Sequence, residues 1–328
     1  MAYYLGLDAG GSKTVAVITD EQGRIRGSGR SGCGNHQIDL EIARRSLHDA
    51  VEQALRQADV TASQIDFAYY GLAGADREAD FRILRPMVTE LGIANHDLAC
   101  DTIIALRAGT YRPYGIVAIC GSGINSAGIN RSGQTYQCGG FGHDYGDWGG
   151  GSFLATEAFR AVIRSWEGRE EPTLLTDLLL NAFGFDGAEK MFHDFLDHPR
   201  RVPLQAVKLL FEAAEAGDGA AITILRHQGV EIGKSAAAVI KKLSMQEEVF
   251  DLVLAGSVLT RGDAKFVHPY IEAYAHAVAP GCSLRVLTME PVVGAVLLAM
   301  DKAGAAIESD VYERLSAINN LEGSGQSE

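Results

Sequence analysis

The chain twice sets a glycine-rich turn between two strand-forming segments, and this repetition constrains the fold more than any other feature. Tyr3 to Leu7 and Thr14 to Thr19 are rich in strand formers and flank Asp8-Ala9-Gly10-Gly11-Ser12-Lys13, with Arg24 to Gly29 as a third strand. Further on, Gly115 to Cys120 runs into Gly121-Ser122-Gly123, followed by strand-like Asn125 to Asn130 and Thr135 to Cys138. The pattern repeats although the residues do not, which reads as a structural duplication. Other elements alternate around it. A helix is expected from about Asp39, with Leu40, Ala43, Leu47, Val51, Ala54 and Leu55 on one face. Phe67 to Leu72 and Leu98 to Asp101 read as strands around a helix at Glu78 to Leu91. From Gly151 to about Leu243 the chain is mostly helical; strands at Phe250 to Ala255 and Leu284 to Thr288 precede a helix from Pro291 to Ala303. Glu322 to Glu328 is polar and Gly/Ser-rich, the composition of a disordered tail.

Composition excludes several function classes. A formal net charge of -13 over 328 residues argues against a nucleic-acid footprint, which needs a basic face. An anionic nucleotide remains compatible, because backbone N–H groups and a local cation can hold it. No apolar run is long enough to span a bilayer and Met1 to Asp8 hold no basic leader region, so a cytoplasmic location is expected. Five scattered cysteines without a C-x-x-C pair disfavour a disulfide framework or zinc ribbon and read as buried thiols.

In the first turn, glycines let the backbone approach a phosphate, Ser12, Lys13 and Thr14 offer side-chain donors, and Asp8 could hold magnesium through water. The spacing is not a Walker A loop, and an ordinary tight hairpin is an equal reading. Gly121-Ser122-Gly123 repeats the device, and two such loops could clamp a polyphosphate. Ala255-Gly256-Ser257 after a buried strand suits a ribose or adenine contact, or a plain strand-to-helix turn. His143, Asp144 and Asp147 match no metal motif and read as polar loop residues, while Asp66 and Asp251 read as solvated surface.

These three turns resemble the two phosphate motifs and the adenosine motif of the actin, hexokinase and Hsp70 superfamily. Gly34-Asn35-His36, Gly71-Leu72-Ala73-Gly74-Ala75-Asp76-Arg77, Asp101 and Gly139 to Asp147 narrow the resemblance to the N-acetylglucosamine kinase family, over residues 3 to about 303. That grouping also contains glucosamine kinases, N-acetylmuramic acid kinases and the ATPase activators of acyl-CoA dehydratases. The resemblance implies an α/β fold of two ribonuclease-H-like (actin-like ATPase) domains around a central cleft. Their expected extents are 1–113 and 114–303, with the helix from about 291 packing back on the first domain and 304–328 forming a C-terminal helix and tail.

The resemblance also implies roles. Asp101 is the catalytic base toward the sugar hydroxyl; on its own it would read as a helix cap before Ile103. Asn35, His36, Asn125, Gly140, Phe141, Gly142 and Asp147 contact the sugar, with His36 equally readable as a packing neighbour of Asn35. Gly10, Gly11, Ser12, Lys13, Thr14, Gly121, Ser122, Gly123, Gly256 and Ser257 contact ATP, with Mg²⁺ near Asp8. The expected reaction is phosphorylation of N-acetylglucosamine at its 6-hydroxyl, or of N-acetylmuramic acid or glucosamine. The resemblance allows a homodimer and implies neither a nucleic-acid nor a membrane partner. One departure stands out: relatives often carry Gly-Asp-Glu-Gly-Ser where this chain has Gly146-Asp147-Trp148-Gly149-Gly150, so Trp148 either stacks on a sugar face or packs the following helix, the latter preferred. An acyl-CoA dehydratase activator lacks support without paired cysteines. A sugar-sensing repressor would need a DNA-binding helix-turn-helix at one end, and none is expected here; a filament subunit leaves the sugar-type residues unexplained.

Overall fold

Two five-stranded sheets with the same strand order organise the chain. The computed structural model describes residues 1–121 and 123–318; Ser122 and the tail from 319 lie outside the described residues. The first sheet contains β1 (Tyr3–Ala9), β2 (Thr14–Asp20), β3 (Ile25–Ser31), β4 (Phe67–Leu72) and β5 (His96–Cys100), ordered β3-β2-β1-β4-β5. β1, β2 and β3 form an antiparallel meander; β4 and β5 join β1 in parallel. The second contains β6 (Gly115–Cys120), β7 (Ile124–Ile129), β8 (Thr135–Gly139), β9 (Phe250–Ala255) and β10 (Cys282–Val286). Its order, β8-β7-β6-β9-β10, repeats the first strand for strand, so the duplication read from the turns is a duplication of topology.

The chain divides into two compact units. One comprises 1–117, 131–133 and 287 onward; the other comprises 118–130 and 134–286. In the first, α1 (Leu40–Ala58) starts where the Asp39 side chain accepts from the Ile42 N–H at 2.9 Å. Ala43, Leu47, Ala50, Val51 and Ala54 bury its apolar stripe, while Leu40, expected on that stripe, is exposed. α2 (Glu78–Thr89) and α3 (Asp101–Gly109) follow their strands. Asp101, expected to end a strand, is instead the first residue of α3, because Cys100 takes the extended cap conformation before it. α11 (Pro291–Lys302) is buried from Val292 to Met300 and crosses β1 at Gly6. A Cβ at Gly6 would lie 2.5 Å from the Val296 nitrogen, and one at Gly294 only 1.9 Å from the Ile104 oxygen. These glycines set how closely helix and sheet approach.

The second unit carries α4 (Gly151–Trp166), α5 (Leu175–Phe183), α6 (Ala188–Asp197), α7 (Gln205–Glu215), α8 (Gly219–Lys242), α9 (Ser257–Arg261) and α10 (His268–His276). α9 and α10 lie between β9 and β10. Asp251 is not surface: it is buried, and Arg285 donates to it through Nε at 2.9 Å from the neighbouring strand. α12 (Ser309–Ser316) completes the first unit. No helix among the described residues is long and apolar enough to cross a membrane.

Candidate active site

Strand register delivers the acidic residues of the first unit to one edge. Ala9 pairs with Leu72 and Leu72 with Cys100, so Asp8 and Asp101 stand at the carboxyl ends of three parallel strands. Ligands of open α/β sheets bind at such strand ends. Burial, and next the Asp101 charge, push the Asp8 carboxyl up to about 7, with Lys13 opposing and Glu290 adding to the rise. Burial also raises Asp101, against a hydrogen bond from the Cys100 thiol and with the Asp76 charge adding to the rise. Lys13 Nζ lies 3.9 Å from Glu290, the residue before α11. Sequence reasoning missed Glu290, and it quoted Asp76 only as part of a motif. No motif spacing links either to Asp101; only the fold brings them near.

The turn after β1 closes tightly, with the Gly10 N–H donating to the Lys13 oxygen at 2.8 Å and the Gly34 N–H to the Gly10 oxygen at 2.9 Å. Gly11 and Ser12 are exposed and Lys13 half-buried. Thr14 is a correction: it is fully buried and donates its hydroxyl to the Gly32 oxygen at 2.9 Å, which leaves it no surface for a nucleotide. The cause is its inward register as the first residue of β2.

Gly34 admits no side chain, since a Cβ would lie 2.5 Å from Thr14 Oγ1. Asn35 therefore sits against the end of β1. Its Oδ1 accepts from the Gln37 N–H at 2.9 Å, and its Nδ2 has no partner among the described residues. His36 is the second correction. It turns inward and is buried, with Nε2 3.4 Å from Asp80 Oδ1, so it packs beneath the loop. Asp80 is anchored by Arg77, whose Nε and Nη2 donate at 3.0 and 3.1 Å, and these bonds hold its carboxyl at about 2.

In the second unit the glycine turns interlock. The Gly151 N–H donates to the Gly121 oxygen at 2.7 Å, and a Cβ on Gly150 would lie 2.4 Å from the Gly123 oxygen. Gly256 has φ +85, and its Cβ would meet the Cys120 oxygen at 2.4 Å; Ser257 beside it is exposed. Three backbone segments thus meet with no side chain between them, an arrangement that presents amides rather than apolar surface.

The segment after β8 is a loop held by one carboxylate. Asp147 Oδ2 accepts from the N–H groups of Gly140, Phe141 and Gly142 at 3.0, 2.8 and 2.6 Å. Positive φ angles at Gly139, Gly140 and Gly142 turn those amides toward it. Asp147, expected to accept from a sugar hydroxyl, thus commits one oxygen to the loop, with Oδ1 outside these bonds. Asn125 pairs with Gly139 across the strands, and its Oδ1 is buried without a partner among the described residues. Trp148 packs as preferred: its ring stacks on His227 of α8 at 4.1 Å and meets Phe153 of α4 edge-on at 4.9 Å. A cavity of about 220 Å³ lies beside this loop, lined by Ile124, Gly139, Asp147, Trp148, Lys234 and Ser235 among others.

The duplicated sheets, with glycine turns at their strand ends, define an actin-like sugar-kinase fold. A candidate N-acetylglucosamine kinase from Chromobacterium violaceum shares it at a TM-score of 0.66 and 20% identity, covering 91% of this chain and 99% of that one. The ROK hexokinase of Thermus thermophilus matches at a TM-score of 0.57 and 20% identity, covering 93% of this chain and all of that one. Residues 5–299 match the BadF/BadG/BcrA/BcrD ATPase family, and the chain belongs to it. Among curated relatives, the N-acetyl-D-glucosamine kinase of Dictyostelium discoideum is 29% identical over 91% of this chain and 98% of its own. The N-acetylmuramic acid/N-acetylglucosamine kinase of Clostridium acetobutylicum is 26% identical over the same shares.

Proposed function

We propose that this chain is an ATP-dependent amino-sugar kinase that phosphorylates N-acetylglucosamine at its 6-hydroxyl. The observation that carries the reading is the placement of Asp101, a half-buried carboxylate just after the carboxyl end of β5, close enough to Asp8 for the two charges to act on each other. Phosphoryl transfer asks a protein for positioning and a proton acceptor rather than covalent chemistry. Asp101 accepts the proton of the attacking sugar hydroxyl. The free amide nitrogen of Asn35, the unpartnered oxygen of Asn125 and the remaining oxygen of Asp147 supply the mixed donors and acceptors that sugar hydroxyls need.

Gly10, Gly11, Ser12, Lys13, Gly121, Gly123, Gly256 and Ser257 are the residues proposed to contact ATP; when bound, it supplies the transferable phosphoryl group. Asp8 is the residue to hold Mg²⁺ through water. No group of three or more His, Cys, Asp or Glu among the described residues forms a metal cage, whereas Asp8, Asp101 and Glu290 near Lys13 leave an excess of negative charge. That donor set fits an ion retaining most of its waters. The relatives named for N-acetylmuramic acid and, in Vibrio cholerae, for glucosamine make those sugars the second reading. A coupled assay of ADP release against N-acetylglucosamine, N-acetylmuramic acid, glucosamine, N-acetylmannosamine and glucose tests both. Turnover should rise strongly with an N-acetylhexosamine and little with glucose. Equal stimulation by all five sugars, or by none, refutes the proposal.

A further inference from the structure

The carboxyl end of β5 holds a thiol and a second carboxylate that the transfer chemistry leaves unused. Cys100 is buried, and its Sγ lies 3.2 Å from Asp101 Oδ1 and 3.4 Å from Asp76 Oδ1. Burial, with the charges of Asp101 and Asp76 adding to it, holds this thiol well above its ordinary range. It therefore stays protonated and acts as a donor. One S–H proton faces two carboxylate acceptors, and the backbone seats all three groups. Cys100 is the last residue of β5, Asp101 the first of α3, and Asp76 lies in the turn that follows β4, the adjacent strand.

We propose that Cys100 and Asp76 are positioning residues for the transfer base: the thiol fixes the carboxylate plane of Asp101, and Asp76 holds a second negative charge behind it. This rests on the reading of Asp101 as the base. A base at the first turn of a helix is exposed to the helix N-terminus, which favours its anion and weakens its hold on a proton. A second carboxylate nearby works in the opposite sense and keeps the base able to accept one. Charged groups near this cluster include Asp8 on β1, with Lys13 and Glu290 next to Asp8, and Arg77, the neighbour of Asp76, whose positive charge interacts with it.

The test compares Cys100→Ala, Cys100→Ser, Asp76→Asn and Asp101→Asn by steady-state kinetics across pH, with sugar binding followed by calorimetry. Cys100→Ala should lower kcat about tenfold at unchanged sugar KM, the scale of one hydrogen bond to a charged group. Cys100→Ser, which keeps a donor, should recover most of that loss. Asp76→Asn should shift the acid limb of kcat/KM to lower pH, because removing a negative charge makes Asp101 more acidic; a merely structural residue would not move that limb. Asp101→Asn should lose about 10² to 10⁴ in kcat. If Cys100→Ala and Asp76→Asn keep the parent kcat and acid limb while Asp101→Asn is inactive, the positioning roles are overturned and the base stands. If Cys100→Ser is as slow as Cys100→Ala, the donor role is overturned. If Asp101→Asn keeps its kcat, the base reading falls and the inference with it. Should Cys100→Ala fail to fold, Cys100→Ser and the Asp76→Asn pH profile decide.

Discussion

Replacing Asp147 separates two ways in which a carboxylate can serve a sugar kinase. Its Oδ2 accepts three backbone N–H groups at 3.0, 2.8 and 2.6 Å, so it braces the Gly139 to Gly142 loop. Hydrogen bonds to a charged acceptor are worth about 1.5 kcal/mol or more each when water is excluded, and roughly half that when the acceptor is neutral. This loop is largely exposed, so water recovers much of the difference. A loss of about 1 kcal/mol for Asp147→Asn and about 2 kcal/mol for Asp147→Ala follows, since Asn keeps a neutral acceptor and Ala keeps none. If sugar binding needs the braced loop, these convert to roughly fivefold and thirtyfold increases in sugar KM, at a tenfold change per 1.4 kcal/mol. Loss of a direct Oδ1 contact would add to both variants. The brace itself is read by hydrogen exchange at the amides of Gly140, Phe141 and Gly142, which should quicken in Asp147→Ala and much less in Asp147→Asn. Unchanged exchange at those amides in Asp147→Ala would refute the brace. A collapse of kcat at parental KM would place Asp147 in the chemistry instead.

Two further outcomes are expected. Gly256→Ala forces a side chain into the left-handed region and to within 2.4 Å of the Cys120 oxygen, so it should cost about 2 kcal/mol or more and lower the melting temperature by several degrees; a variant melting within a degree of the parent would show the contact to be loose. Asp80 has its carboxyl held at about 2, chiefly by Arg77, so its contribution is full above about pH 4 and is lost as pH falls toward 2. With Arg77 largely exposed the effect is about 1 to 2 kcal/mol, measurable as a flatter dependence of urea stability on pH in Asp80→Asn over that window.

The architecture was legible because its signals are local. Runs of strand-forming residues and glycine turns marked β1, β2, β4, β6 and β9, and Asp39 marked the start of α1. What stayed hidden depends on pairings across the chain. Nothing near Asp251 announces that Arg285 reaches it from the next strand. Thr14 looked like a phosphate donor because it follows Ser12 and Lys13, yet strand register turns it into the core. Trp148 was read correctly from its position before α4, whereas its stacking partner, His227, lies far along the sequence on α8. The site residues of a motif were visible as a set. Which of them face outward is set by register and by glycines too crowded to carry a side chain, and a single sequence does not display that.

The return of the chain at Leu287 has a consequence for biosynthesis. The first unit cannot be finished from its own early residues, because α11, whose Val292 to Met300 are buried, arrives only at the end. The whole second unit, contiguous apart from the 131–133 tip, is translated in between. At about 5 to 20 residues per second the ribosome takes roughly ten to thirty-five seconds to bridge that gap. Throughout it β1 lies bare at Gly6, where α11 will later press. The order of maturation therefore inverts the order of synthesis: the half that emerges first closes last. A chain stopped near residue 286 would carry a complete second unit and, on the first, an apolar face that α11 would otherwise cover.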